Sequence, residues 1–213
     1  MKTLTVTATG RATAAPDRIL LALTLSAKAA QYGDAMRLAD EQLTRLQMAV
    51  AGCGFDTKQL KSDNFAVHPE YENKQENGSY TRVFCGYAVS HSLSLRFALD
   101  TALLAQLLSA VSGCGCDPQL DIRFELENGE ALTAAALQDA VAAAKFRAEV
   151  LAYSAGTQLL ELCEIRHGGG NAPMPLANYS VNLMRAAESA AVDLTPQDMQ
   201  AEETVTLVWS LLE

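Results

Sequence analysis

Residues 43–56 read LTRLQMAVAGCGFD, and residues 104–117 read LAQLLSAVSGCGCD. Eight of the fourteen positions are identical at an offset of 61 residues, so the segment is used twice. In each copy an apolar helical period runs into Gly-Cys-Gly: Leu43, Leu46 and Val50 in the first, Leu104, Leu107 and Val111 in the second. Glycine takes the left-handed conformation that ends a helix without steric cost, so both copies predict a helix stopped by glycine and followed by a strand. A third, weaker echo is the alanine-rich stretch 131–155 running into Gly156.

This reading assigns the cysteines. Cys53 and Cys114 occupy matching places in two cap loops, where a small, weakly polar side chain tucks under a turn. Cys116 is extra, because its counterpart is Phe55. A zinc site needs about four ligands, and neither loop offers a Cys-x-x-Cys pair or a nearby histidine. Cys114 and Cys116 are thus read first as structural and second as a redox-sensitive pair; no metal or cofactor is expected.

Outward from the repeat, the segments alternate between the two periods. Thr3, Thr5, Thr7 and Thr9 face one way and Leu4, Val6 and Ala8 the other, which marks a half-buried strand. Gly10 suggests a bulge or bend, and Ala15-Pro16-Asp17 a turn. A second strand covers about 18–27. Residues 60–72 and 79–97 form a long hairpin around Asn77-Gly78, the dipeptide that favours tight primed turns. The last strand, about 201–212, aligns Val205, Leu207, Trp209 and Leu211. Helices are predicted at about 31–51, 99–112 and 130–155, the last packing Leu137, Val141, Ala144, Ala148 and Leu151 on the sheet. Residues 166–200 read as an irregular, mobile segment. The fold class is α+β, an antiparallel sheet with three packed helices in one domain, its pseudo-repeat halves about 1–98 and 99–213.

The histidines offer little chemistry. Val83, Cys85, Tyr87, Val89, His91, Leu93, Leu95 and Phe97 share one strand face, which makes His91 a core histidine. His68 reads as surface. His167-Gly168-Gly169-Gly170 matches an oxyanion-hole motif of some lipases, but no glycine follows residue 170, so no Gly-x-Ser-x-Gly elbow lies downstream. No carboxylate pair is placed by spacing for acid–base work, and the chain reads as non-enzymatic.

Composition excludes further classes. With 25 acidic against 16 basic residues the net charge is −9, and no basic cluster exists to meet a phosphate backbone. No apolar run reaches the roughly 20 residues of a membrane span. The opening MKTLTVTATG carries no apolar secretory segment, and five scattered cysteines suit a reducing compartment, so a cytoplasmic location is expected.

In this order the segments resemble a known family. TLTVTATGRATAAPDRILLALTLSAKA is similar to the opening of SIMPL-domain proteins, and the likeness runs through FAVHPEYE, GYAVSHSLSLRF, LAYSAGTQLLELCEI and TPQDMQAEETVTLVWSLLE. The resemblance implies an α+β protein without established catalytic residues. It also implies relatives among periplasmic immunogenic proteins and oxidative-stress defence proteins, at least one of them a large hollow oligomer.

Two functions are open on these grounds. One is a self-associating, homo-oligomeric protein using sheet edges or the 166–200 segment; the uncharged strand TLTVTATG presents such an edge. The other is a module binding a small ligand or a protein, with a redox-sensitive Cys114/Cys116 pair.

Overall fold

In the computed structural model, residues 2–76, 79–168, 173–175 and 195–212 are described. In chain order they form β1 (Thr3–Ala14), β2 (Arg18–Ala29), α1 (Tyr32–Gly52), a 3-10 turn (Thr57–Gln59), β3 (Lys61–Glu76), β4 (Ser79–Ala98), α2 (Thr101–Gly113), β5 (Gln119–Glu125), α3 (Gly129–Ser154), β6 (Leu159–His167), β7 (Met174–Pro175) and β8 (Met199–Leu211). The class is α+β, with three helices and two antiparallel sheets. Asn77-Gly78, Gly169, Gly170 and much of 166–200 lie outside the described residues.

By compactness the described residues form two units, with boundaries at Asp17/Arg18 and Phe124/Glu125. Among the described residues one compact unit is Arg18–Phe124, with strand order β3-β4-β2-β5. Ile19, Leu21, Leu23 and Leu25 of β2 form the floor of its core with Leu93, Leu95 and Phe97 of β4. Leu46 and Val50 of α1 and Leu104, Leu107 and Val111 of α2 cover that floor side by side. Fully burying each such side chain contributes about 1.5–3 kcal/mol.

Both copies of the repeated segment therefore belong to one core, and their helix stops match. Cys53 and Cys114 are the C-caps of α1 and α2, and Gly54 (φ 92°) and Gly115 (φ 69°) follow in the left-handed region. Gly156 (φ 71°) does the same after α3. The exits diverge: Asp56 caps the 3-10 turn before β3, whereas Asp117, itself at φ 42°, leads almost directly into β5.

The other unit joins the two ends of the chain. β1 pairs antiparallel with β8 along its whole length, and β6 and β7 lie on the far side of β8. Strand β1 runs straight through Gly10, which pairs with Glu203, so the expected bend is absent. Glycine is required there by what lies above it. A Cβ on Gly10 would collide with the α3 backbone at Ala136 O and Ala140 N. The inward row of β1 shrinks accordingly, from Leu4 and Val6 through Ala8 to Gly10.

Helix α3 answers with Leu132, Ala136, Ala140, Ala144, Ala148 and Ala152, buried at every fourth position. This corrects the expected seam: Ala144 and Ala148 are on it, Leu137 and Val141 sit at its margin, and Leu151 is 49% exposed. From Ala136 to Ala152 the row is alanine throughout, which lets the helix backbone reach the sheet; a leucine within that stretch would hold it off.

Candidate functional site

The cysteine loop was the first candidate. Cys114 is half-buried, and Cys116 is 5% exposed within the core of the Arg18–Phe124 unit. The Cys116 thiol donates to the Gln42 carbonyl at 3.3 Å, while Arg45 Nη1 donates to the Gly115 carbonyl at the same distance. Burial, with smaller contributions from Cys114, pushes the Cys116 thiol up from 9.0 to about 11. That leaves roughly a hundredfold less of the reactive thiolate near neutral pH. Alkylation of the native protein, followed by peptide mass, should find Cys116 labelled last and the exposed Cys85 and Cys163 first.

The histidines separate by environment. His68 is exposed. His91 is 6% exposed, its Nε2 2.8 Å from Ser62 Oγ and its ring edge-to-face with Phe65. Burial holds its pKa below the ordinary 6.5. The folded state therefore keeps His91 neutral while the unfolded chain takes up a proton near 6.5. Stability from this group is complete above that pH and falls as pH drops through 6.5 toward the lower folded value. A His91→Asn variant should show a shallower loss of stability below pH 6.5 in urea titrations.

His167, from the end of β6, is bound to a carboxylate the sequence reading overlooked. Its Nε2 lies 2.6 Å from Glu203 Oε2, and Glu203 is 2% exposed on the helix-facing side of β8. The pair borders an open groove of about 580 Å³ beside Glu130, Thr133, Leu137 and Pro173. The signal was available, because Glu203 continues the inward row of Val205, Leu207 and Trp209 two residues earlier. Among the described residues, no three His, Cys, Asp or Glu side chains converge as a cation would require.

A different arrangement stands out on the long hairpin. Strand β2 supports β4 only from Tyr87 to Ala98, so residues 71–76 and 79–86 project as a two-stranded arm. Between the pairs Glu70–Gly86 and Tyr71–Phe84 the register shifts and Cys85 becomes an extra residue. The bulge is built on Gly86 at φ 140°, where a Cβ would strike the Ala29 carbonyl oxygen. Val83 and Cys85 are both exposed rather than part of the buried row that continues at Val89. The shift brings Phe84 against Tyr87, ring centroids 5.3 Å apart, although they lie three positions apart and strict alternation would put them on opposite faces. Tyr71 stacks edge-on against Phe84 at 5.7 Å, Tyr32 of α1 against Tyr87 at 5.6 Å, and Arg82 lies 4.3 Å above the Tyr71 ring. Tyr32, Tyr71 and Phe84 are each about half exposed. This aromatic row is the candidate functional surface; the residues were visible in the sequence, but the bulge that joins them was not.

Comparison with known proteins agrees with the fold. A family model described as SIMPL, a protein of unknown function (DUF541), matches residues 4–209. Two relatives, from Brucella melitensis biotype 1 and Brucella abortus strain S19, are each named 26 kDa periplasmic immunogenic protein. Each is 28% identical over 186 residues, 86% of this chain and 74% of the relative. The relatives' name places them in the periplasm, in contrast to the cytoplasmic location expected here, and among the described residues no helix is long and apolar enough to cross a membrane. The chain belongs to the SIMPL family.

Proposed function

We propose, with SIMPL membership as the premise, that this chain is a non-enzymatic protein whose work is to associate with copies of itself. The observation that carries the reading is the projecting arm of β3 and β4 with its half-exposed row of Tyr32, Tyr87, Phe84, Tyr71 and Arg82. An isolated two-stranded ribbon is at best marginally stable in water, so an arm of this length gains from being covered. Tyrosine and arginine are also the residues enriched where protein contacts concentrate their energy. Burial of Cys116 favours this reading over the redox alternative.

Light scattering on the full chain over a hundredfold concentration range should give masses above the 22.8 kDa of one chain. The paired change Tyr71→Ser and Phe84→Ser should move the mass toward a single chain while leaving far-ultraviolet circular dichroism intact. A single-chain mass for the unaltered protein at every concentration would sink the reading. A share in tolerance of oxidative stress belongs to the same proposal, with peroxide survival of a deletion strain as its measure. The odd, scattered cysteines favour a reducing compartment; recovery of the protein with periplasmic markers would overturn that part.

A further inference from the structure

We infer that two copies of this chain join through the open edge of β1, antiparallel, about a two-fold axis at Thr9. This rests on the self-association reading above but places the contact on a surface other than the hairpin arm.

β1 ends its sheet, bonded on one side to β8 and on the other to no strand among the described residues. The Lys2 carbonyl accepts from Leu211 N, so the even-numbered residues of β1 turn their backbone groups toward β8 and the odd-numbered ones turn theirs outward. Two outward groups are held by side chains of α3. Arg147 Nη1 donates to the Thr7 carbonyl at 3.3 Å, and Arg11 N donates to Asp139 Oδ2 at 3.0 Å. The free edge thus displays an acceptor at Thr7 and a donor at Arg11, with a cation beside the first and an anion beside the second.

That spacing is self-complementary. With the two-fold axis at Thr9, Thr7 of one copy faces Arg11 of the other, and in an antiparallel pair facing outward residues exchange N–H and C=O in both directions. The Arg11 amide then donates to the second copy's Thr7 carbonyl, and each Thr7 carbonyl accepts likewise. The same operation sets Arg147 of each copy near Asp139 of the other, so the side chains released from the backbone gain each other. An axis at Thr7 would oppose the two Arg147 groups, and one at Arg11 the two Asp139 groups, so charge selects Thr9. On the opposite face Thr9 is already within 2.9 Å of Thr204 through their hydroxyls, and Thr9 beside Thr9 continues that ladder across the axis. Beside Thr5 and Thr7, the exposed Phe146, Val150 and Leu151 line a groove of about 450 Å³ that supplies apolar area. An isologous contact of this kind closes on itself as a dimer.

The test uses the full chain with Cys85→Ser and Cys163→Ser. Adding Thr9→Cys should give a covalent dimer under mild oxidant through a disulfide between the two introduced thiols, since facing residues in such a pair lie about 5.5 Å apart at Cα. Thr3→Cys, far from the axis, should give none. Arg147→Asp alone, or Asp139→Arg alone, should weaken the dimer by roughly tenfold or more, and the two together should restore it. If the mass remains above one chain but Thr9→Cys does not cross-link and the double swap does not restore, the β1 contact is wrong and the arm reading stands. If the protein is a single chain at every concentration, both fall.

Discussion

Gly10→Ala should destabilise this protein by about 3 kcal/mol or more, the largest effect expected of any one-methyl change in it. In thermal unfolding this reads as a midpoint lowered by roughly 10 °C. The added Cβ would meet Ala136 O and Ala140 N, and its distance to Ala140 Cα would be 2.7 Å. These are backbone atoms of a 26-residue helix, so no rotamer change relieves the contact. The helix must lift from β1, opening the packing of Ala140, Ala144 and Ala148 against Val6, Ala8, Val205 and Leu207. Gly33→Ala is the control: nothing lies within 4 Å of the added carbon, and the site is helical. It should be neutral or stabilising by up to ~1 kcal/mol. Equal stability of the two variants would show that α3 does not rest on β1 as described.

The second large effect is expected at Gly86. An alanine there must adopt φ near 140° with its Cβ against the Ala29 carbonyl oxygen, 3.0 Å from Ala29 C and Ala30 Cα. The cost should be about 3 kcal/mol if the bulge is kept. The chain can escape by expelling the bulge, and that outcome is equally visible. Removing one residue from the β4 register turns Phe84 to the face opposite Tyr87. Tyr87 would then lose its 5.3 Å contact with Phe84, and near-ultraviolet circular dichroism from the aromatic row should collapse. A Gly86→Ala protein with unchanged midpoint and unchanged aromatic signal would contradict the bulge.

The two glycines also mark how far the sequence could be read. Helix ends were legible because a left-handed glycine is a local need, stated by Gly54, Gly115 and Gly156 in their own segments. Alternation was equally local, and the threonine row of β1 is exposed as expected. Gly10 was misread because its reason is not local: the demand comes from Ala136 and Ala140, far along the chain. The same holds for Cys85 and Phe84, whose faces depend on a register shift set by pairing with Tyr71. Of the candidate surface, each aromatic residue was in plain view, but strict two-residue alternation separated Phe84 from Tyr87. Glu203 was missed differently, since the inward row was recognised from Val205 onward and stopped one step short of the carboxylate that holds His167.

The joining of β1 to β8 has a consequence in time. The buried core of Ile19, Leu21, Leu46, Leu95 and Leu107 lies within one stretch of chain, Arg18–Phe124, so that core can form while later residues are still being made. β1, which precedes that stretch, is the strand that must wait. Its Thr7 meets Thr206, 199 residues later, a delay of roughly 10–40 s at ordinary synthesis rates. During that interval Val6 and Ala8 have neither Leu207 nor α3 to cover them, and the nascent chain carries an unpaired strand whose one charge is Arg11. A segment so exposed is the part of this molecule with most need of a chaperone during synthesis. Truncation anywhere before Met199 would leave that need permanent.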